Sequence, residues 1–378
     1  MQVRTSLVIL VLVCTGCGGT NGGDPDGSVD TDVPADPGDA DAVNDGTDPG
    51  VDVDEPCPCT PGRHNQRIFV LSDDNELYTY DPTTNTFEFL AALMCGGFAH
   101  PYSMAVDEKG IAWIQNYDSY RIVLVDVNDP TDCTDSGYMP GDFQRFGMTF
   151  VPEEAWNVCP RLHVHSYSGA GGFTEGEDTG RLGVMDHDAL TISGIGLIDF
   201  DGGELAGTRD GRLFAFAGEG PAKLVEYDRS DASVIELVSL DGLSKVSASA
   251  FAFHGGDIYF FTEAMPSECI PCLESSCDGE YDACMADETC AEEFQCAIDN
   301  RGLSDECGGS WTTEFVDCVN VTCYSECFPV STARVSKVTR MDYDESDGPG
   351  RTLTVVHAEA PIRIVGADSS PCVPEVPY

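Results

Sequence analysis

Positive charge is scarce in this chain. Nineteen Lys and Arg stand against 66 Asp and Glu, a formal net charge of −47. A surface of that sign repels phosphate backbones and offers no basic patch to lipid headgroups, which argues against nucleic acid as a partner and against charge-driven membrane binding. Long apolar runs are also missing: residues 7–13 form one too short to span a bilayer. No G-x-S-x-G is present, so serine hydrolase chemistry has no nucleophile elbow. Residues 20–56 contain no basic and no aromatic side chain, and residues 264–333, the segment densest in cysteine, contain no histidine.

What is present at the N-terminus reads as an export signal: Arg4, the apolar run, then small residues before Cys17. Val13-Cys14-Thr15-Gly16-Cys17 resembles a bacterial lipobox, departing from it at Cys14, where that family usually has Leu. The resemblance implies that residues 1–16 are removed, that Cys17 is acylated with chains enough for stable anchoring, and, from Gly18, that the protein is sorted to the outer membrane or cell surface. Residues 17–56 then read as a tether. Residues 20–56 hold eleven Asp and one Glu, too little apolar surface to offset chain entropy and enough like charge to keep the segment extended. The tether carries −12 and Arg4 +1, so −36 remains on the rest of the chain.

The stretch 67–90, RIFVLSDDNELYTYDPTTNTFEFL, holds three short strands broken by turn residues. Further first strands align as SMAVD from Ser103, GMTFV from Gly147, ELAGT from Glu204 and AFAFH from Ala250. Their third positions, Ala105, Thr149, Ala206 and Ala252, are small, as expected of innermost strands crowded round an axis. A sheet this small must stack on its neighbours, so the predicted fold is all-β: a β-propeller of five four-stranded blades, or six if the long third unit merges two. The opening unit lacks an inner strand and the closing one has nothing else, so residues 362–365 are predicted to complete the first blade. LYTYDPTTNTF, from Leu77, resembles the class of kelch-like, NHL-like and lactonase-like propellers; this motif describes a hairpin and implies no activity. The ring is expected over 57–263 and 334–378.

Residues 264–333 interrupt the fifth blade between its second and third strands. They contain Cys269, Cys272, Cys277, Cys284, Cys290, Cys296, Cys307, Cys318, Cys323 and Cys327, an even number like the six outside (Cys57, Cys59, Cys95, Cys133, Cys159, Cys372), as disulfides of an oxidising compartment require. Helices are expected at 279–287, 291–299 and 311–327, with Phe315, Val319, Cys323 and Cys327 along one face. The pattern resembles helical disulfide modules appended to bacterial surface proteins. Cys269-x-x-Cys272 has zinc spacing, but no second such pair follows. Outside the insertion, Cys133–Cys159 is expected, with Cys372 joined to Cys57 or Cys59 and Cys95 to the other.

The loops entering the inner strands supply the ligand-site candidates: Phe98, His100, Tyr102, Asp142, Phe143, Arg145, Phe146, Asp199, Phe200, Asp201 and Glu204. Aromatics beside a few polar groups at a propeller mouth suit a glycan, a peptide or another envelope protein. Of the inner strands, only Glu204 places an acid at the upper axis, with Asp107 and His254 at the lower end. The paired carboxyls of a glycosidase and the converging acids of a calcium lactonase are not evident. His163 and His165 share a strand face and lack a third ligand nearby, which favours a structural role. Two readings follow: a surface-tethered, non-enzymatic binding propeller without cofactor, or a secreted hydrolase or lyase using acids at the mouth, with calcium the ion they could hold.

Overall fold

The computed structural model describes residues 59–96, 100–153, 159–167, 179–218, 222–243, 248–264, 269–299, 312–327, 335–346, 348 and 350–374. They belong to one compact unit spanning 52–378. The export signal, Cys17, the tether, Cys57 and Phe98 lie outside the described residues.

Alternating apolar segments joined by tight Asp- and Gly-bearing turns form antiparallel meanders. Strands β1 (Ile68–Ser72), β2 (Glu76–Asp81) and β3 (Thr86–Ala92) build most of blade 1. Blade 2 is β4 (Pro101–Val106), β5 (Ile111–Asn116), β6 (Ile122–Asp126) and β7 (Cys133–Asp135). Blade 3 is β8 (Arg145–Pro152), β9 (Pro160–Tyr167), β10 (Gly180–Asp186) and β11 (Thr191–Ile198). Blade 4 is β12 (Glu204–Gly207), β13 (Leu213–Ala217), β14 (Ala222–Tyr227) and β15 (Val234–Leu240). Blade 5 is β16 (Ser249–His254), β17 (Asp257–Glu263), β18 (Ser336–Met341) and β19 (Leu353–His357). The last strand, β20 (Ile364–Asp368), pairs antiparallel with β1 and completes blade 1 in the order β20-β1-β2-β3. The five innermost strands β20, β4, β8, β12 and β16 touch in turn, closing the ring.

The long third unit is one blade, so the count is five and not six. The closing strand starts two residues later than 362–365. The carbonyl of Ile362 is taken by the Ser336 N–H of blade 5 (3.0 Å), and the Ser336 hydroxyl accepts the N–H of Ile364 (2.9 Å). The approach to the strand is therefore held by blade 5 until Ile364.

Each blade interface is a separate apolar cluster. Ala105 packs beside Met148 and Phe150 of blade 3, Ala206 beside Phe251 and Phe253 of blade 5, and Ala252 in the cluster that holds Ile68 and Val70 of blade 1. Three of the four small residues thus make room for bulky side chains from the next blade, and the fourth, Thr149, donates its hydroxyl to Asp368. Much of the acidity has a local cause as well. Asp81, Asp107, Asp126, Asp135, Asp186, Asp228 and Asp231 each accept the backbone N–H two residues on, the Asx geometry that closes a tight turn.

The insertion leaves from β17 and returns to β18, where the Ala264 N–H donates to the Val335 carbonyl at 2.9 Å. It contains α1 (Cys269–Ser276), α2 (Asp278–Met285), α3 (Glu288–Asp299) and α4 (Thr313–Cys318), followed by a π-helical turn (Val319–Cys323) and α5 (Tyr324–Cys327). Helix α1 was not predicted; Pro271 near its start and its cysteine pair disguise it. Cys269–Cys327, Cys272–Cys323 and Cys277–Cys318 form an antiparallel ladder, with Cys284–Cys290 joining α2 to α3. The ladder consumes both thiols of the zinc-like pair. Phe315, Val319, Cys323 and Cys327 are fully buried along the expected face.

Outside the insertion, Cys133 bonds Cys95 rather than Cys159, because Cys133 opens the outermost strand of blade 2 and meets the chain leaving the rim of blade 1. Cys372 bonds Cys59, latching the closing strand to the first described residue. Cys159 is disulfide-bonded to a partner outside the described residues. Side-chain placement of Cys296 and Cys307 is likewise not described.

Candidate functional site

The mouth of the ring is the end where the inner strands begin and the second strands finish. Asn116, at the end of β5, organises the loop there: its side-chain carbonyl accepts the N–H groups of Asp118 (3.1 Å) and Ser119 (2.7 Å), and its backbone carbonyl that of Tyr120 (3.0 Å). Tyr120 is thereby held at φ 60°, a left-handed conformation costly for a bulky residue. This places Tyr117 and Tyr120 over Arg145, at the start of β8. The Arg145 guanidinium carbon lies 4.3 Å from the Tyr117 ring centre, 5.7 Å from Tyr120 and 5.1 Å from Tyr167, its partner across β8–β9. Tyr102 stacks on Tyr167 at 6.3 Å and tilts toward Tyr117 at 5.9 Å. Tyr117 is 43% exposed. Three tyrosines from blades 2 and 3 therefore surround one cation at the solvent boundary, with Tyr102 packed against two of them, and cation–π attraction is favourable there.

Among the predicted residues, Tyr102 and Arg145 come together here. His100 and Asp118 pair at 2.7 Å beside them, both largely exposed. Asp142 is exposed, and its backbone carbonyl accepts from Arg181 (2.7 Å). Phe143 and Phe146 are buried in the core between blades 2 and 3 and present no face to a ligand, whereas Phe200 is partly buried against the core between blades 3 and 4. Asp199 is exposed and Asp201 fully buried, 3.5 Å from the Ser166 hydroxyl. Tyr117, Tyr120 and Tyr167 are additions; their signal in the sequence was three tyrosines flanking turns whose partner strands begin with Tyr102 and Arg145.

Below the mouth, Glu204 is 6% exposed and accepts from the Ser103 hydroxyl at 2.8 Å, linking the inner strands of blades 2 and 4 across the axis. The close approach of His165 fixes the preceding residue as glycine: a Cβ on Gly203 would sit 2.8 Å from the ring's Nε2, and the Gly203 N–H donates to Nδ1 at 3.0 Å. Deeper still is an acid that sequence reading passed over, Asp368. It is fully buried and accepts the Val106 N–H (2.9 Å) and the Thr149 hydroxyl (3.3 Å), so one carboxyl of blade 1 ties blades 2 and 3. Burial pushes it well above the usual carboxylate range, against the lowering by these hydrogen bonds.

At the opposite end, Asp107 is half-buried and accepts the N–H groups of Ile111 and Lys109. His254 and His163 are buried, and desolvation lowers each to about 4. His163 donates to the Arg161 carbonyl (3.1 Å). Because the folded state disfavours their protonation, their contribution to stability is complete above the ordinary histidine range near 6.5 and is lost as pH falls toward 4. Acid unfolding monitored by circular dichroism should show this loss, and His163→Gln should flatten the curve across that window by up to about 3 kcal/mol. An unchanged slope would contradict a neutral buried imidazole.

Among the described residues, one group of three acids brings carboxylate oxygens within 4.8 Å of one another: Asp257, Asp342 and Asp344, at the end of blade 5 away from the mouth. Asp257 is also held by Arg340 Nε at 2.6 Å. Glu204, Asp142, Asp199, Asp201 and His100 make no such group.

No protein-family model matches the chain, and no curated protein matches it. Among solved structures it is similar to a chain in the crystal structure of a nidogen/laminin complex, at 10% identity and a TM-score of 0.33, over 52% of this chain and 72% of that one. It is also similar to a structure of the Dos1 propeller, at 8% identity and a TM-score of 0.33, over 53% of this chain and 51% of that one, so it spans about half of that propeller chain. The class defined here is a disulfide-latched five-bladed β-propeller with a helical insertion. Its function rests on its own residues. No helix among the described residues is long and apolar enough to cross a membrane, and the disulfides fit an oxidising compartment.

Proposed function

We propose that the ring is a non-enzymatic binding propeller, tethered at the cell envelope through acyl chains on Cys17 and engaging a glycan, a peptide or another envelope protein at its mouth. The observation that carries the reading is the partly exposed platform of Tyr102, Tyr117, Tyr120 and Tyr167 round Arg145. Rigid tyrosines give contact area at low entropic cost and keep a polar tip for specificity. The hydrolase or lyase reading needs acids that share one bond or one ion, and among the described residues those of the mouth form no such group. Calcium has its geometric opportunity at the far end of blade 5, remote from any such chemistry.

Glycan and peptide arrays probed with the full mature chain and with a Tyr117→Ala/Tyr167→Ala variant test the reading. Signals should fall about fivefold or more in the variant, two aromatic contacts each contributing roughly 0.5–1.5 kcal/mol. The variant's melting temperature should stay close to wild type. Signals unchanged in a folded variant would place recognition elsewhere.

A further inference from the structure

Arg145 differs from the arginines that pair with acids, and also from Arg181 and Arg229, which donate to backbone carbonyls. Arg67, Arg121, Arg161, Arg212, Arg340, Arg351 and Arg363 each contact a carboxylate, on Asp81, Asp135, Glu153, Glu226, Asp257, Glu236 and Asp73. Arg145, at the mouth of a protein with 66 acidic residues, contacts tyrosines and no carboxylate among the described residues: the rings of Tyr117, Tyr120 and Tyr167, and Tyr120 also through a side-chain hydrogen bond. A guanidinium held in a ring of π faces keeps its charge, is oriented by stacking, and retains in-plane N–H donors suited to a carboxylate.

We propose that the mouth recognises a uronic acid residue of a polysaccharide, with its carboxylate on Arg145 and its pyranose face on the tyrosines. This rests on the binding reading above. The flat C–H face of a pyranose fits an exposed aromatic ring, and its hydroxyls need acceptors as well as donors. The Tyr117 hydroxyl and the exposed carboxylate of Asp118, which also pairs with His100, supply both. Peptide binding by strand addition would call for an unpaired strand edge, whereas the mouth offers side chains on loops and strand ends; the acidic tripeptide in the test separates the remaining peptide modes. The remaining −36 on the chain opposes a dense polyanion, so recognition is of an acidic residue within a saccharide of low charge density.

The test is titration calorimetry of the full mature chain with glucuronate-, galacturonate- and mannuronate-containing trisaccharides, each beside its carboxyl-reduced counterpart, and with a glutamate-containing tripeptide. At least one acidic trisaccharide should bind about tenfold or more tighter than its reduced form, the size of one charge-assisted hydrogen-bonded pair. Arg145→Gln should remove that difference, and Tyr117→Ala should weaken both forms alike. Equal binding of acidic and reduced forms would overturn the acid preference and leave the binding reading standing. Binding of the tripeptide alone, or an Arg145→Gln variant that still discriminates, would overturn the proposal. Silence of every saccharide here overturns it too; silence of the arrays as well removes the broader reading with it.

Discussion

Replacing Cys59 by Ser should destabilise the ring by about 5 kcal/mol, the chain-entropy value for a cross-link enclosing most of the chain. Cys59 and Cys372 are 313 residues apart, and the bond closes the unfolded chain into a loop that includes all five blades. The smaller loops closed by Cys95–Cys133 and the insertion ladder lie inside it, which shortens the effective length and makes this an upper value. The folded ring without the bond still has its closing strand: β20 keeps its ladder with β1, and Asp368 its bonds to Val106 and Thr149. Loss should therefore appear as a lower denaturant midpoint in non-reducing guanidinium titrations, with the native circular dichroism spectrum retained. A Cys133→Ser variant, which opens a loop of only 38 residues, should lose less, roughly 3–4 kcal/mol. Equal losses would contradict the latch as described.

Arg363→Met should cost about 3–5 kcal/mol, because it takes one guanidinium from two acids at once, Glu263 and Asp73. Arg363 is 9% exposed and sits just before the closing strand. Its Nε contacts Glu263, 6% exposed at the stem of the insertion, and its Nη1 contacts Asp73, on the β1–β2 turn, at 2.9 Å. One guanidinium thus joins the ring closure, the first blade and the stem from which the helical segment leaves. Burial pushes the Asp73 carboxyl up even with Arg363 beside it. The triple variant Arg363→Met/Glu263→Leu/Asp73→Asn removes the stranded charge and should recover most of the loss in the same titration. No recovery would mean that shape, not charge, accounts for the effect.

The two features differ in how visible they were beforehand. The ring itself was legible, because its strands repeat in period two between Asp-bearing turns and because the opening meander lacked an inner strand that the tail supplied. Its exact register was not. The tail reads apolar from Ile362, but Ser336 of blade 5 captures the approach, and the displaced start carries Asp368 into the axis, where an acid was not sought. Rim disulfides depend on which outer strands lie side by side, a lateral distance absent from any linear spacing, so Cys133 was matched with Cys159. The pairing inside the insertion was likewise open in the sequence; the ladder joins cysteines spaced three and five apart in one arm to cysteines five and four apart in the other, taken in opposite directions.

At the mouth, Tyr102 and Arg145 were legible as loop aromatics and charge. Phe143, Phe146 and Phe200 had the same appearance and turned inward, since a large ring beside a blade interface gains more from burial than from solvent. Tyr117, Tyr120 and Tyr167 were hidden for the opposite reason. They lie in or beside turns, and only the ring geometry brings the ends of blades 2 and 3 onto the same cation.

Proteolytic mapping of the oxidised protein by mass spectrometry, without reduction, tests the closed ring most directly. A peptide pair linked through Cys59 and Cys372, with another through Cys95 and Cys133, is the predicted result. Finding Cys372 joined to the insertion, or left as a free thiol, would mean that the tail does not complete the first blade, and the mouth built on that closure would fall with it.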